Sequence, residues 1–294
     1  MKKQIFIAKI KKGIKATAEY ITLNISQGDG YCSQRNALIR LFQMTSGDGY
    51  NESGVLLRLT ALDAMYSTNA RMAIFSLEKL TEEILNLGTE YDAMAYFQDV
   101  LDGKTSVGES LFKKELGWQK NKPSNRSLPS LVSKYAYFQA IVFKEIYPNG
   151  FPIYDDLVCQ VLPACIEGCS TTALKEDLST FFEKISVFCS NLKLSAEDTK
   201  GLQPYDAIDA YLWRIGKLYS GNISLIVDEK DYGIIMGRIC PLKVSDGKKE
   251  DESFYKIVKE HYSNNLFKGI KNETLLNLIY KHYKDIYEDE EKNV

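Results

Sequence analysis

Apolar residues recurring three and four positions apart narrow what this chain can fold into more than any other feature. From Glu52 to Tyr66 they fall at Val55, Leu56, Leu59, Leu62 and Met65. From Asn69 to Leu87 they fall at Met72, Ile74, Leu77, Leu80 and Ile84. This spacing lays a stripe along one face of a helix, which turns once every ~3.6 residues. Similar patterning predicts helices over 33–44, 89–101, 107–117, 130–146, 154–164, 173–192, 204–219, 253–263 and 271–288. Strand-like runs are short: Ile5–Ile7, Ile223–Val227 and Ile234–Ile239. The expected fold class is mainly α, with little β structure.

At 294 residues the chain can hold one large domain or two modest ones. Its 45% hydrophobic content and net charge of −2 fit a packed core and exclude a disordered chain. The only two histidines, His261 and His282, lie near the C-terminus, which argues against a His-rich zinc site and against a Ser-His-Asp triad in the first 260 residues. Lysines at 9, 11, 12 and 15 interrupt the apolar start, so no secretory leader is expected. No run reaches the ~18 apolar residues of a membrane span, and a cytoplasmic location is expected. Cys32, Cys159, Cys165, Cys169, Cys189 and Cys240 contain no Cys-x-x-Cys pair; they read as free thiols and not as a metal set. No metal or cofactor is expected. Gly-Asp-Gly-Tyr occurs at 28–31 and at 47–50, where glycine turns fit better than a phosphate cradle lined by carboxylates. The polar run Asp246–Ser253 marks a boundary between a helical region, 1–245, and a C-terminal helical extension, 246–294, whose end is acidic.

Charge is unevenly spread. Between 113 and 146, Lys113, Lys114, Lys120, Lys122, Arg126, Lys134 and Lys144 face only Glu115 and Glu145, a net of +5. The rest of the chain therefore carries −7. Trp118, Tyr135, Tyr137 and Phe138 lie within the same stretch. Cations interleaved with aromatics suit a groove that neutralises phosphates and stacks on bases, and a solvated basic face has the same composition.

Within this stretch stands Leu128-Pro129-Ser130-Leu131-Val132-Ser133-Lys134. Phe151-Pro152-Ile153-Tyr154-Asp155 follows, with Asp155 twenty-one residues beyond Lys134. The pair resembles the helix-hairpin-helix superfamily of DNA glycosylases, which carry Leu-Pro-Gly-Val-Gly-X-Lys and, some twenty residues later, Pro-Val-Asp. Leu128, Pro129 and Lys134 match the first segment. Pro152 and Asp155 match the second, with one extra residue between them. Ser130 and Val132 replace the two hairpin glycines. The apolar and aromatic surroundings of Lys134 are closer to the archaeal 8-oxoguanine glycosylase branch, and 206–214 is similar to a late helix of that branch. The resemblance is specific over 128–158 and looser over 55–220; residues 1–50 match poorly. It implies a two-lobed helical glycosylase fold occupying 1–245.

The implied reaction is release of a modified base from duplex DNA, leaving an abasic site. Breaking an N-glycosidic bond builds positive charge on the sugar, which a carboxylate stabilises, the role implied for Asp155. Lys134, desolvated in a helix interior and partly neutral, would attack C1′ and form a Schiff base, adding strand cleavage by β-elimination. The nucleotide must leave the stack for an aromatic pocket, for which Tyr66, Tyr137, Phe138, Tyr154 and Trp213 are candidates. Ser67 and Asn69 are candidates for reading the base edge, with helix capping as their other reading. Lys120, Lys122, Arg126, Ser130 and Ser133 are candidates for the DNA backbone. Two targets fit: a bulky modified cytosine of phage DNA, such as glucosylated hydroxymethylcytosine, in antiviral defence, or an oxidised purine in repair. Double-stranded DNA containing a modified base is the expected partner of a monomer, with no membrane involved. The alternative is a non-catalytic DNA-binding or interaction protein that keeps the fold, with Lys134 and Asp155 serving structure alone.

Overall fold

A computed structural model describes residues 2–24, 30–66, 73–74, 76–119, 122–166 and 169–219. It is mainly helical. The helices are α1 (Lys2–Asn24), α2 (Gly30–Met44), α3 (Glu52–Tyr66), α4 (Ser76–Leu85), α5 (Glu90–Leu101), α6 (Pro129–Val142), α7 (Asp156–Cys165), α8 (Thr171–Glu176), α9 (Leu178–Leu192), α10 (Ala196–Thr199) and α11 (Pro204–Tyr219). Strands β1 (Ala73–Ile74), β2 (Gly117–Gln119) and β3 (Lys122–Arg126) form a small antiparallel sheet in the order β1-β2-β3. Its register pairs Ile74 with Trp118 and Gly117 with Arg126. No helix among the described residues is long and apolar enough to cross a membrane.

Contacts divide the chain into two compact units. One comprises Cys32–Asp155 with Ala173–Ile185 and holds the sheet. The other comprises Met1–Tyr31, Asp156–Thr172 and the described part of Ser186–Val294. In this second unit α11 packs against both α1 and α7. The boundary expected at 245–246 and the helices expected at 253–263 and 271–288 lie outside the described residues, as do the runs 223–227 and 234–239.

Several expectations need correction. Ile5–Ile7 is not a strand but lies within α1. Beyond it, Ile10, Ile14, Ala18 and Ile21 are buried at spacings of three and four, and this longer helical stripe overrides the local β preference of three residues. The helix expected over 69–87 begins only at Ser76, because Ala73–Ile74 pairs with β2. The helix expected over 107–117 is a 3-10 turn, Val107–Glu109, followed by irregular chain and β2. The helix expected over 173–192 is two helices parted at Asp177. The Asp177 carboxylate accepts from the backbone N–H groups of Ser179 (3.0 Å) and Thr180 (3.2 Å) and from the Thr180 hydroxyl (2.6 Å), capping α9.

The Gly-Asp-Gly-Tyr run at 47–50 forms a turn, with Gly47 at φ +60°, a region open to glycine at little cost. Its twin lies partly outside the described residues. Cys32 and Cys159 are buried and outside any disulfide, and burial pushes the Cys165 thiol up to about 12 and that of Cys189 to about 11. Such thiols are poor nucleophiles and poor metal ligands.

The core of the first unit is aromatic. Phe97, Phe112, Phe151 and Phe182 form one cluster; the Phe112 and Phe151 rings stack at 6.1 Å, and Phe182 meets Phe112 edge-on at 5.3 Å. Burying Phe151 here anchors the irregular segment that leads to Asp155.

Candidate active site

Pro129 starts α6. Its missing N–H costs nothing in the first turn of a helix. The residue before it, Leu128, is non-helical (φ −123°, ψ 53°), and β3 ends two residues earlier, so a strand rather than a helix delivers the chain into α6. Ser130 and Val132 therefore belong to the first turn of the helix, where an L-residue adopts the backbone without strain. Every residue from Leu131 to Ala140 is buried, so α6 runs through the middle of its unit.

Two ties set the segment 151–155 against α6. Ser133 accepts the backbone N–H of Tyr154 on Oγ at 2.9 Å and donates to the Ser130 carbonyl at 3.0 Å. One residue further along each partner, Lys134 Nζ meets Asp155 Oδ2 at 3.2 Å. Lys134 Nζ also donates to Ser130 Oγ at 2.6 Å, one turn earlier on the same helix. The Tyr66 ring covers it from the side, with its centroid 5.5 Å from Nζ. The Lys134 side chain is 3% exposed and that of Asp155 25%, so the pair reaches solvent through the carboxylate. Asp155 stays outside α7, which starts at Asp156, and its carboxylate is directed to the lysine.

A second polar cluster holds α6 from its other side. The Arg58 guanidinium, fully buried, pairs with Glu90 at 2.7 Å. It donates to Thr45 Oγ1 at 2.6 Å, to Gln139 Oε1 at 2.9 Å and to the Phe42 carbonyl at 3.0 Å. Glu90 in turn accepts from Gln139 Nε2 at 3.0 Å, Ser46 Oγ at 3.1 Å and the Gly47 N–H at 3.1 Å. Tyr135 lies against Arg58, and burial keeps its phenol protonated; burial likewise pushes the Tyr50 hydroxyl up to about 12. The hydrogen bonds among Arg58, Glu90 and Gln139 fix α3, α5 and α6 in one arrangement, and hence the place of Lys134. Sequence reasoning passed over it. The available signal was Arg58 itself, a cation between the core positions Val55, Leu59 and Leu62 of an apolar stripe.

Of the residues expected at the site, Lys134, Asp155, Ser130 and Tyr66 converge. Ser133 does not face outward to DNA. Its side chain is buried and its hydroxyl accepts the backbone N–H of Tyr154, the residue before Asp155. Tyr137 and Phe138 are buried core residues, packed edge-on at 4.9 Å, and Phe138 supports Tyr66 at 6.0 Å. Tyr154 packs on Phe181 at 5.1 Å and donates its hydroxyl to the Lys175 carbonyl. Trp213, half-buried, belongs to the other unit. Lys122 and Arg126 lie on β3, while Ser67, Asn69 and Lys120 lie outside the described residues. Among the described residues no three His, Cys, Asp or Glu side chains are grouped to hold a metal.

A buried amine in contact with a carboxylate can do two kinds of chemistry. The carboxylate can stabilise a cationic centre or take a proton, and the amine, once deprotonated, can attack an electrophilic carbon. No protein-family model, curated protein or solved structure matches the chain.

Proposed function

We propose that the protein is a DNA glycosylase related to the helix-hairpin-helix superfamily, with a strand in place of the hairpin's first helix, acting on a modified base with Asp155 and Lys134 at its reactive centre. The observation carrying this reading is the contact of a buried lysine with a solvent-reaching carboxylate, 3.2 Å apart, from the two segments whose sequences resemble that family. The basic β2–β3 hairpin, which leads directly into α6, supplies the phosphate-binding side of the same reading. The enzyme would act in the cytoplasm as a monomer.

In the proposed reaction the modified nucleotide leaves the stack and its C1′ is brought to Lys134 and Asp155. Asp155 takes a proton from the Lys134 ammonium. The freed amine bonds to C1′ as the C1′–base bond breaks, and the departing base takes up a proton. Opening of the sugar gives an imine; loss of a C2′ proton then expels the 3′ phosphate, and water releases the lysine. If water attacks C1′ in place of the amine, Asp155 takes the proton of that water and an intact abasic strand remains. The preferred target is a bulky modified cytosine such as glucosylated hydroxymethylcytosine of phage DNA, and an oxidised purine is the second.

The test is incubation with phage genomes of differing base modification, followed by alkali to reveal abasic sites. Base release is expected from at least one modified genome and is abolished in Asp155→Asn. Lys134→Ala is expected to abolish borohydride trapping of a covalent adduct. A protein that leaves every modified DNA intact is not a glycosylase. That outcome favours the non-catalytic reading, for which the relevant observation is that Lys134 already has Ser130, Asp155 and Tyr66 as partners inside the protein.

A further inference from the structure

Three side chains meet the Lys134 amine, and they meet it differently. Ser130 Oγ at 2.6 Å and Asp155 Oδ2 at 3.2 Å hold it by hydrogen bonds. Tyr66 presents the face of its ring, with the centroid 5.5 Å from Nζ. All three neighbours are half-buried whereas the Lys134 side chain is 3% exposed, so they stand between the amine and solvent. Tyr66 is the largest of them. It is the last residue of α3, and the fully buried Phe138 stands behind it, with ring centroids 6.0 Å apart. Phe138 is held in turn by Phe42 at 5.6 Å and by Tyr137 at 4.9 Å. A close-packed interior does not yield to a ring pressed against it, so Tyr66 stays at the rim.

An atom attacked by the amine must come within about 3–3.5 Å of Nζ. Whatever that atom carries then falls within reach of a ring centred 5.5 Å away. A small carbonyl compound fits beside the ring, and a carbon bearing a broad planar group collides with it. We infer that Tyr66 is a specificity-determining residue, a steric wall that admits electrophiles to Lys134 by size. The inference deepens the glycosylase reading, in which the group borne by the attacked carbon is the base, and rests on that reading for this consequence alone. There the wall works by exclusion. A nucleotide whose base does not fit against the ring fails to bring C1′ to Nζ, however well its backbone is bound.

The first experiment needs no DNA and compares two aldehydes at one pH. The full chain is treated with formaldehyde or benzaldehyde in the presence of cyanoborohydride, and labelling of the peptide containing Lys134 is followed by mass spectrometry. The amine bonds to the carbonyl carbon, water leaves, and cyanoborohydride delivers hydride to the imine. The readout is the ratio of benzaldehyde to formaldehyde labelling, from which the reactivity of the amine itself cancels. In Tyr66→Ala the ratio is expected to rise about tenfold, the scale on which a pocket discriminates by the size of a group. Tyr66→Phe, which keeps the ring, should match the natural protein, and Tyr66→Trp, which enlarges it, should fall below. A ratio unmoved in Tyr66→Ala overturns the inference. So does a ratio that rises in Tyr66→Trp as it does in Tyr66→Ala, which is loosening of the site and not loss of a wall.

A second arm uses a duplex with one preformed abasic site and borohydride. Tyr66→Ala is expected to trap several-fold more DNA than the natural protein, and Lys134→Ala none. A changed aldehyde ratio without trapping by any variant leaves the wall standing and counts against the glycosylase reading. Trapping by the natural protein with an unchanged ratio does the reverse.

Discussion

The Ser133 hydroxyl accepts the backbone N–H of Tyr154 at 2.9 Å, and the next residue on each side, Lys134 and Asp155, form the ion pair. The helix and the segment 151–155 are thus aligned residue for residue at the proposed reactive centre. Ser133→Ala leaves the Tyr154 N–H without its acceptor. It is expected to cost about 1–2 kcal/mol, measured by urea unfolding. Asp155 also loses its registration, so under the proposed glycosylase reading base release should fall roughly ten- to a hundredfold with the ion-pair residues untouched.

The two members of that pair are unequally buried, and their removal should differ accordingly. Asp155→Ala leaves a lysine that is 3% exposed without its counter-charge, an expected loss of about 2–3 kcal/mol after allowance for the solvent that reaches the carboxylate. Lys134→Met leaves a carboxylate that is 25% exposed and can be hydrated, an expected loss of about 1 kcal/mol or less. The double variant should be more stable than Asp155→Ala alone. Equal losses in the two single variants would contradict the asymmetry.

Glu90 is the counter-charge of a fully buried guanidinium. Glu90→Ala is expected to cost about 3–5 kcal/mol in chemical denaturation, and Glu90→Gln clearly less, because an amide still accepts from Arg58. Gln139 and Tyr135 carry this network on the same helix as Lys134. In Glu90→Gln, base release is therefore expected to fall through kcat more than through KM.

Acid should loosen the other unit. The Lys15 ammonium, 2.7 Å from Glu197, and Lys200, at 2.9 Å, hold this carboxyl at about 2, below its ordinary 4.5. A carboxyl depressed by folding adds stability that is complete above its unfolded value and disappears as pH falls from about 4.5 to about 2. Glu197 is fully exposed, so solvent screening keeps the effect small and salt-sensitive. Glu197→Gln is expected to flatten the decline of stability across that window, and 1 M salt (roughly a 3 Å screening length) should do the same to the natural protein. Thermal unfolding at stepped pH measures both.

Long periodic segments made much of the fold legible in advance. The stripes at 52–66, 89–101 and 204–219 are helices with nearly the expected ends, because each carries enough apolar positions to define a face. The sheet was not legible. Ala73–Ile74 and Gly117–Gln119 are too short to show alternation, and they are strands because they pair with each other. At the site, Lys134 and Asp155 were singled out by the resemblance of their two segments to one family, and the structure brings their side chains together. The Arg58–Glu90–Gln139 network was not legible, since each member sits on a different helix and pattern along one helix does not reveal a partner on another.

A helix with ten consecutive buried residues has little freedom to drift. Any change between Leu131 and Ala140 disturbs packing on some side, so selection for a different target could not readily act on the segment that bears Lys134. Variation in what the protein recognises would have to enter through neighbours with an open side, such as Tyr66 at the end of α3 or the β2–β3 hairpin ahead of α6. Closely related chains should therefore differ most in those borders while their α6 stays nearly the same, and exchanging the borders between two such chains should exchange their targets.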